Sequence, residues 1–209
     1  MIAMSSPPLR VGVVLFERFE LLDVFGPLEM FGVLPDRFEI LLLGPREGPV
    51  VSSQGPRACA DYAYADAPPC DIVLVPGGIG RLVAIEDDTF LRWLASYCTT
   101  AEYVTSVCTG SALLAAAGVL DGYRATSNKR SFGWVREQGP HVEWVPEARW
   151  VVDRNRWTSS GVAAGIDMSL ALIAHLFGTD FAHRVADGTE YEWHVDPHWD
   201  PFAAKNGLV

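Results

Sequence analysis

Residues 103–118 read YVTSVCTGSALLAAAG, and this stretch decides the expected fold. Residues 103–107 have the composition of a short buried strand, whereas residues 111–117 are small and favour a helix, which Gly118 ends. Cys108 stands between the two with no room for a loop. The stretch therefore predicts a tight strand-to-helix turn with a strained backbone at the cysteine.

A cysteine on such a turn has the form of a nucleophile elbow. We expect the turn to push the sulfur of Cys108 out of the core and toward a site. The unsatisfied N–H groups and the dipole at the start of a helix favour an anion, so they are expected to lower the pKa of the thiol. The alternative is a structural cysteine that happens to precede a helix.

Apolar, β-rich runs alternate with helical segments along the rest of the chain. The expected strands are residues 9–16, 38–43, 71–75, 103–107, 124–127, 149–152 and 156–159, with a hairpin over 50–60. The expected helices are a segment with Pro27 in its first turn and residues 89–97, 111–117, 131–137 and 165–177. This order predicts an α/β fold with a mostly parallel sheet sandwiched by helices.

In such a fold the ligand site lies at the carboxyl ends of the strands. The loop after strand 71–75 contains Gly77, Gly78 and Ile79, whose bare N–H groups are candidates for stabilising an oxyanion or binding substrate. A plain glycine-rich turn is the alternative. The loop over residues 17–23 ends at Asp23, an acid among apolar residues, which is a candidate for proton transfer or a helix N-cap.

Length and composition limit the classes of protein that the chain can belong to. It has 209 residues, of which 49% are hydrophobic and 20% charged, so we expect a single domain over 1–209. Its net charge of −10 disfavours nucleic acid and anionic membranes as partners. We see no secretory signal at the start and no bilayer-spanning run, and we therefore expect a cytoplasmic protein.

The four cysteines show no metal-site spacing, so we expect reduced thiols, no metal and no cofactor. The C-terminal segment contains His194, Asp196, His198 and Asp200, which could ligate a metal, although Pro197 interrupts the helix that such ligands need. We favour a core over about residues 9–178 and an extension over 179–209 whose aromatic residues pack on the core or on a partner subunit.

With these pieces in place, the chain resembles the ThiJ/PfpI superfamily, which has the flavodoxin-like fold of class I glutamine amidotransferases. The resemblance runs from about residue 11 to 177. It rests on GVVLF…LLDVFGPLEMF, DIVLVPGG, YVTSVCTGSALLAAAGVLDGYRAT and TSSGVAAGIDMSLALIAHLFG, in that order. The chain is most similar to the isonitrile hydratase branch, through Cys-Thr-Gly-Ser at 108–111 and through Leu-Asp at 22–23 followed by Gly-Pro at 26–27.

The resemblance implies a catalytic set of Cys108, Thr109 and Asp23, with the aspartate close to the sulfur. It also implies a homodimer that acts on a small-molecule substrate, with the active site near the interface. Two departures stand out. Thr109 replaces the histidine of protease-like members, and Asn128-Lys129 replaces the His-Trp of related hydratases. Asn128 is not a base at neutral pH but is a candidate substrate-binding residue, and we expect Lys129 to be solvated.

Three hypotheses follow. The first is a hydratase that adds water to a small electrophilic carbon, such as that of an isonitrile. The second is a redox or stress-response protein with an oxidisable cysteine. The third is a glyoxalase, deglycase or peptidase, which the absence of a histidine after Cys108 disfavours. No DNA-binding module is expected within the chain.

Overall fold

The computed structural model describes residues 7–209 and contains eleven strands in that range. In chain order they are β1 (Leu9–Val14), β2 (Phe38–Gly44), β3 (Gly48–Val51), β4 (Arg57–Ala60), β5 (Tyr62–Ala63), β6 (Ile72–Val75), β7 (Tyr103–Ser106), β8 (Arg124–Ala125), β9 (Glu143–Trp144), β10 (Trp150–Asp153) and β11 (Arg156–Ser159). Seven of them form the main sheet in the order β10-β11-β7-β6-β1-β2-β5. All neighbours in this sheet are parallel except β10 and β11.

Helices cover the sheet, and the arrangement confirms the predicted fold class. They are α1 (Leu21–Gly32), α2 (Arg81–Ala84), α3 (Asp88–Cys98), α4 (Gly110–Ala116), α5 (Phe132–Glu137), α6 (Ala164–Phe177), α7 (Thr179–Gly188) and α8 (Pro201–Lys205). Within residues 7–209, no helix combines the length and the apolar character needed to cross a bilayer. The predicted hairpin is the antiparallel pair β3 and β4, with Gly55 at a positive φ in its turn.

The central strands are buried on both faces, which explains their uninterrupted apolar sequences. Every residue of β6 is inaccessible to solvent, as are Val11, Val13 and Val14 of β1. The four central strands β11, β7, β6 and β1 are neighbours in the sheet. Their carboxyl ends therefore lie side by side, and the loops that follow them meet at one edge.

Helix α1 differs from its prediction. It begins at Leu21, so Asp23 lies in its first turn rather than in a preceding loop. Pro27 lies in the helix interior rather than at its start. Because proline has no N–H, the carbonyl of Asp23, four residues earlier, loses its usual helical partner. Both Asp23 and Pro27 are buried.

Lys129 was expected to be solvated, and this prediction is wrong. The side chain is only 3% exposed, and its ammonium group donates to Thr126 Oγ1 at 2.8 Å and to the carbonyl of Ala148. Burial lowers its pKa from 10.5 to about 8, while Asp200 and Glu147 act in the opposite direction. The amine therefore links the segment around Thr126 to the segment around Ala148 through hydrogen bonds, and it is not a surface charge.

The C-terminal segment is held by Asp167 of α6, which is fully buried. One carboxylate oxygen accepts hydrogen bonds from the Arg149 guanidinium, and the other accepts from the Tyr191 hydroxyl at 3.1 Å and the His194 N–H at 2.9 Å. Further along, the N–H of Arg149 donates to the carbonyl of Pro197 at 2.8 Å. These contacts tie residues 191–197 to the chain's own α6 and β10 region.

We predict that Asp167→Asn lowers the free energy of unfolding by about 3–5 kcal/mol, because it leaves the charge of Arg149 buried and unpaired. Arg149 is only 12% exposed, so water can replace the lost partner only in part. Denaturant unfolding followed by circular dichroism measures the change. Asp153→Asn is the control: its ion pair with Arg154 is much more exposed, and about 1 kcal/mol or less is expected. Equal losses in the two variants would contradict the prediction.

Candidate active site

Cys108 lies between β7 and α4, at the edge where the loops after the central strands meet. Its φ of 58° is in the left-handed region, which a side chain with a Cβ adopts at a cost of about 1–2 kcal/mol. The cysteine's N–H donates to the carbonyl of Ser160 at 3.2 Å, and its carbonyl accepts from the Ser127 hydroxyl at 2.8 Å. The strained turn is therefore held from both sides by loops that follow other strands.

The sulfur is less accessible than the sequence suggested. Cys108 is 6% exposed, whereas the turn was expected to direct it outward. Burial is the largest influence on its pKa and raises it well above the ordinary value, and Asp23 adds to the increase. The N–H and hydroxyl of Thr109 and the side chain of Asn128 lower it, but they do not reverse the direction. The expected lowering of the thiol pKa is therefore wrong, because desolvation outweighs the effect of the helix start.

Asp23 is fully buried and shares this environment. Its Oδ2 accepts the Gly77 N–H at 2.8 Å, whereas Oδ1 has no hydrogen-bond partner among residues 7–209. Burial raises the carboxyl pKa well above 3.8, and the Gly77 N–H and the Cys108 thiol partly offset this. Asp23 does not cap α1, since the N-cap position belongs to Glu20. Its carboxyl instead faces the loop after β6 and carries a proton at a higher pH than an ordinary aspartic acid.

The loop after β6 brings its glycines against Asp23 and Thr109. Gly78 has a φ of 130°, and a Cβ there would lie 2.5 Å from the carbonyl oxygen of Arg18, so only glycine fits. The Gly78 N–H points to Thr109 Oγ1 at 3.4 Å, a long contact that a substrate atom can replace. The Gly77 N–H is occupied by Asp23, which makes Gly77 a positioning group rather than the expected oxyanion donor. The Ile79 side chain is 39% exposed.

Asn128 is oriented by its own loop. Its Oδ1 accepts the Ser131 N–H at 3.1 Å, which leaves the Nδ2 hydrogens free to point toward the sulfur. The contribution of this amide to the Cys108 pKa agrees with that orientation. Asn128 therefore faces the thiol as a hydrogen-bond donor. The structure thus brings Cys108, Asp23, Thr109 and Asn128 into one site.

Gly161 is a member of the site that the sequence analysis missed. A Cβ on Gly161 would lie 3.0 Å from Cys108 Sγ and 2.2 Å from Asn128 Nδ2. The residue follows β11 just as Gly77 and Gly78 follow β6, and the run Ser-Ser-Gly at 159–161 was the available signal. Its missing side chain is what lets the backbone approach the sulfur.

A cavity of about 310 Å³ adjoins this side of the site. Asn128 and Gly161, which contact the sulfur region, form part of its wall, and Phe202 and Asn206 of the C-terminal segment form another part. The remaining lining residues are Lys129, Arg130, Arg149, Ser160, Val162 and Ala163. The C-terminal segment therefore shapes the surroundings of the site.

We predict that Gly161→Ala lowers kcat/KM for a reaction that depends on Cys108 by about 10- to 100-fold, because the new methyl group displaces the Asn128 amide from the sulfur. The φ of Gly161 is not among the positive values, so alanine fits its backbone and a large loss of stability is not expected. Gly133→Ala is the matched control, since no atom lies within 4 Å of its added Cβ. Unchanged kinetics in Gly161→Ala would show that this approach to the sulfur is unimportant.

The histidines lie away from the sulfur. Among residues 7–209, the groups that shift the pKa of Cys108 include no imidazole. His175 packs on Tyr103 and Trp157, His183 packs on Trp193, and His194 packs on Trp199. Asp196 accepts the N–H of His198, and Asp200 caps α8. In the part of the chain that the structure describes, no three His, Cys, Asp or Glu side chains converge as metal ligands.

A doubly wound sheet with a cysteine at a strained strand-to-helix turn and a buried acid beside it defines the class of protein. The chain belongs to the DJ-1/PfpI family, whose model matches residues 9–175. It is 38% identical to isonitrile hydratase of Pseudomonas putida over 185 residues, which cover 88% of this chain and 78% of the relative.

Two further comparisons agree with the family. A ThiJ/PfpI family protein from Pseudomonas syringae superposes with a TM-score of 0.82 at 31% identity, covering 92% of this chain and 82% of that one. The chain is also 33% identical over 194 residues to the HTH-type transcriptional regulator GbdR of Pseudomonas aeruginosa. That match covers 88% of this chain but 51% of the regulator, so the chain spans about half of its length. By their names, relatives of this chain include both an enzyme and a regulator.

Proposed function

We propose that the chain is a cysteine-dependent hydratase that adds water to a small electrophilic carbon, and that isonitriles are its substrate class. The observation that carries the proposal is the buried pair of Cys108 and Asp23, two acids whose pKa values are both raised. The similarity to isonitrile hydratase supports the same reaction. The product is an N-substituted formamide.

The protonated pair suits the chemistry of an isonitrile, whose terminal carbon takes up both a nucleophile and a proton. Asp23 donates its proton to that carbon while the Cys108 sulfur forms the C–S bond. The thiol proton passes to the Asp23 carboxylate, which restores the acid. The thiol of the enzyme is thereby added across the terminal carbon to give a thioimidate, R–N=CH–S–Cys108.

Water completes the reaction. Asp23 helps to remove a proton from the water that attacks the thioimidate carbon, and the substrate nitrogen gains a proton. Collapse of the resulting R–NH–CH(OH)–S–Cys108 breaks the C–S bond, returns a proton to the sulfur and releases R–NH–CHO. The Gly78 and Thr109 N–H groups stabilise the charge that develops, and the Thr109 hydroxyl orients the water. The sum is one isonitrile and one water converted to one formamide.

The low exposure of Cys108 supports a slender electrophile. The terminal carbon of an isonitrile lies at the end of a linear group, so it can reach a sulfur that is only 6% exposed. A peptide carbonyl is flanked by bulky groups and needs a wide cleft. The part of the chain that the structure describes also places no imidazole against the sulfur, which further disfavours a peptidase.

Selective oxidation of Cys108 is the less favoured alternative. Peroxide reacts with the thiolate, and burial keeps the Cys108 sulfur protonated by raising its pKa. Hydration does not require the sulfur to be ionised before the substrate binds, because Asp23 donates and accepts protons during the reaction. The site is therefore better suited to acid-assisted addition than to redox sensing.

We also propose that the chain forms a homodimer. Large apolar side chains are exposed on α1 and α2, close to the loops of the site: Leu22, Phe25, Leu82 and Val83. A second copy covering them would bury apolar surface beside the active site. Sedimentation analysis of the purified chain tests this, and a monomer at micromolar concentration would contradict it.

The direct test of function is turnover of isonitriles by the purified chain, with formamide measured by chromatography. Methylglyoxal and simple amides serve as the competing substrates. We expect formamide from isonitriles and no comparable turnover of the others. A preparation that is folded but leaves isonitriles unchanged would overturn the proposal.

A further inference from the structure

Arg81 follows the glycine loop and begins α2. Its guanidinium is fixed by two contacts. Nη1 donates to the carbonyl of Gly78 at 3.1 Å, and the guanidinium carbon lies 4.7 Å from the ring centre of Trp134. A side chain held by a backbone bond and an aromatic ring has little freedom left to lose on binding a ligand.

The same guanidinium has an unused donor. Nε is buried and has no hydrogen-bond partner among residues 7–209. No carboxylate of these described residues lies within ion-pair distance of Arg81, although the chain has 26 acidic and only 16 basic residues. A buried charged donor without an acceptor is costly, so a ligand oxygen that reached it would be bound favourably.

Arg81 is linked to the reacting centre through one peptide group. The Gly78 carbonyl accepts from Arg81, and the N–H of the same residue points to Thr109 Oγ1, next to Cys108. In its thiolate form, the Cys108 sulfur would raise the pKa of the guanidinium and partly offset the lowering of that pKa by burial. A ligand bound to Arg81 would therefore lie beside the sulfur.

Resting on the hydratase function proposed above, we propose that Arg81 binds the anionic group of the substrate, which is a small isonitrile with a carboxylate a few atoms from the reactive carbon. The edge of the guanidinium formed by Nε and Nη2 matches the two oxygens of a carboxylate. Because Nε is buried, the guanidinium must shift on binding for this contact to supply the acceptor that Nε lacks. It also directs the linear isonitrile toward Cys108.

The test compares isocyanoacetate with its methyl ester, which differ in charge at the proposed contact. In the unmodified chain we expect kcat/KM for the acid to exceed that for the ester. In Arg81→Gln the ratio of acid to ester is expected to fall by about 10- to 100-fold, since a charge-assisted contact is lost. Arg81→Lys keeps the charge but not the planar fork, and is expected to restore only part of the ratio.

A control and a second measurement separate the possible failures. Arg92→Gln removes an exposed arginine on α3 and should leave the ratio unchanged. Calorimetric binding of N-formylglycine and its methyl ester to the Cys108→Ala variant needs no turnover. If this variant prefers the acid and the preference depends on Arg81, the result supports the anion site. That support holds even if the chain does not hydrate isonitriles, a result that would overturn only the hydratase function. Equal binding of acid and ester, or an equal loss for both in Arg81→Gln, overturns the proposal and makes Arg81 a support for the loop or a counter-charge for the sulfur.

Discussion

Replacing Cys108 by alanine is expected to abolish isonitrile hydration, with a loss of at least about 10³-fold in kcat, because no other group in the site can form the C–S bond. Formamide release and mass spectrometry of the trapped thioimidate measure the effect. Cys59→Ala is the matched control, since Cys59 is an exposed free thiol. Full activity in the control with none in Cys108→Ala assigns the chemistry to one sulfur.

The strained backbone at position 108 predicts a difference in stability between two inactive variants, Cys108→Gly and Cys108→Ala. Glycine at position 108 adopts the φ of 58° without the cost that a Cβ imposes on alanine, so Cys108→Gly is expected to be more stable than Cys108→Ala by about 1 kcal/mol. Both variants are expected to be inactive. Thermal or denaturant unfolding measures the difference. Hydration by either variant at more than a few per cent of the original rate would show that the sulfur is not the nucleophile.

Replacing Asp23 by asparagine is expected to lower kcat by about 10²–10⁴-fold, because the amide cannot donate a proton to the isonitrile carbon or accept one from water. Asparagine keeps an oxygen acceptor for the Gly77 N–H, so the position of the loop is expected to be preserved. Asp66→Asn, which changes an exposed acid in a surface turn, is the control. Activity comparable to the unmodified chain would remove Asp23 from the mechanism.

Although Asp23→Asn is expected to lower kcat, it is expected to raise the free energy of unfolding. The pKa of Asp23 is higher in the folded chain than the ordinary 3.8, so the folded state binds more protons than the unfolded state at intermediate pH. Stability from this group is complete below about pH 4 and is lost as pH rises toward the folded pKa. The amide of Asp23→Asn does not ionise, so this variant does not lose stability in this way as the pH rises. Its free energy of unfolding should therefore exceed that of the unmodified chain increasingly as pH rises above 4, and a constant difference across pH would contradict the burial argument.

Several features of the site could be predicted because they depend on residues that are close together in the sequence. The elbow at residues 103–118 follows from a β-rich run that meets a helix-forming run at a cysteine. The glycine loop follows from glycines directly after a buried strand. Asp23 was found as an acid among apolar residues, although its place inside α1 was not. The structure brings these three pieces together because parallel strands place their carboxyl ends at one edge of a sheet.

Other features needed contacts between distant segments. Arg81 has no local pattern that marks it, and Gly161 is marked only by the run Ser-Ser-Gly at 159–161. The importance of both residues comes from the glycine loop and the sulfur that they approach. Lys129 looks like a surface residue in sequence, but it is buried and donates hydrogen bonds to Thr126 and Ala148. A side chain's solvent exposure depends on which distant residues cover it.

By itself, the sequence determined the α/β fold class, the strained turn at Cys108 and the choice of Asp23 and Thr109 as candidate site residues. These depend on periodicity, chain geometry and residue size, all of which act over a few neighbouring residues. Only the tertiary structure decided that the Cys108 sulfur is buried, that its pKa and that of Asp23 are raised, and that Gly77 holds Asp23 rather than a substrate. Desolvation is the physical reason, because it is set by every atom that displaces water from a group, wherever that atom lies in the chain.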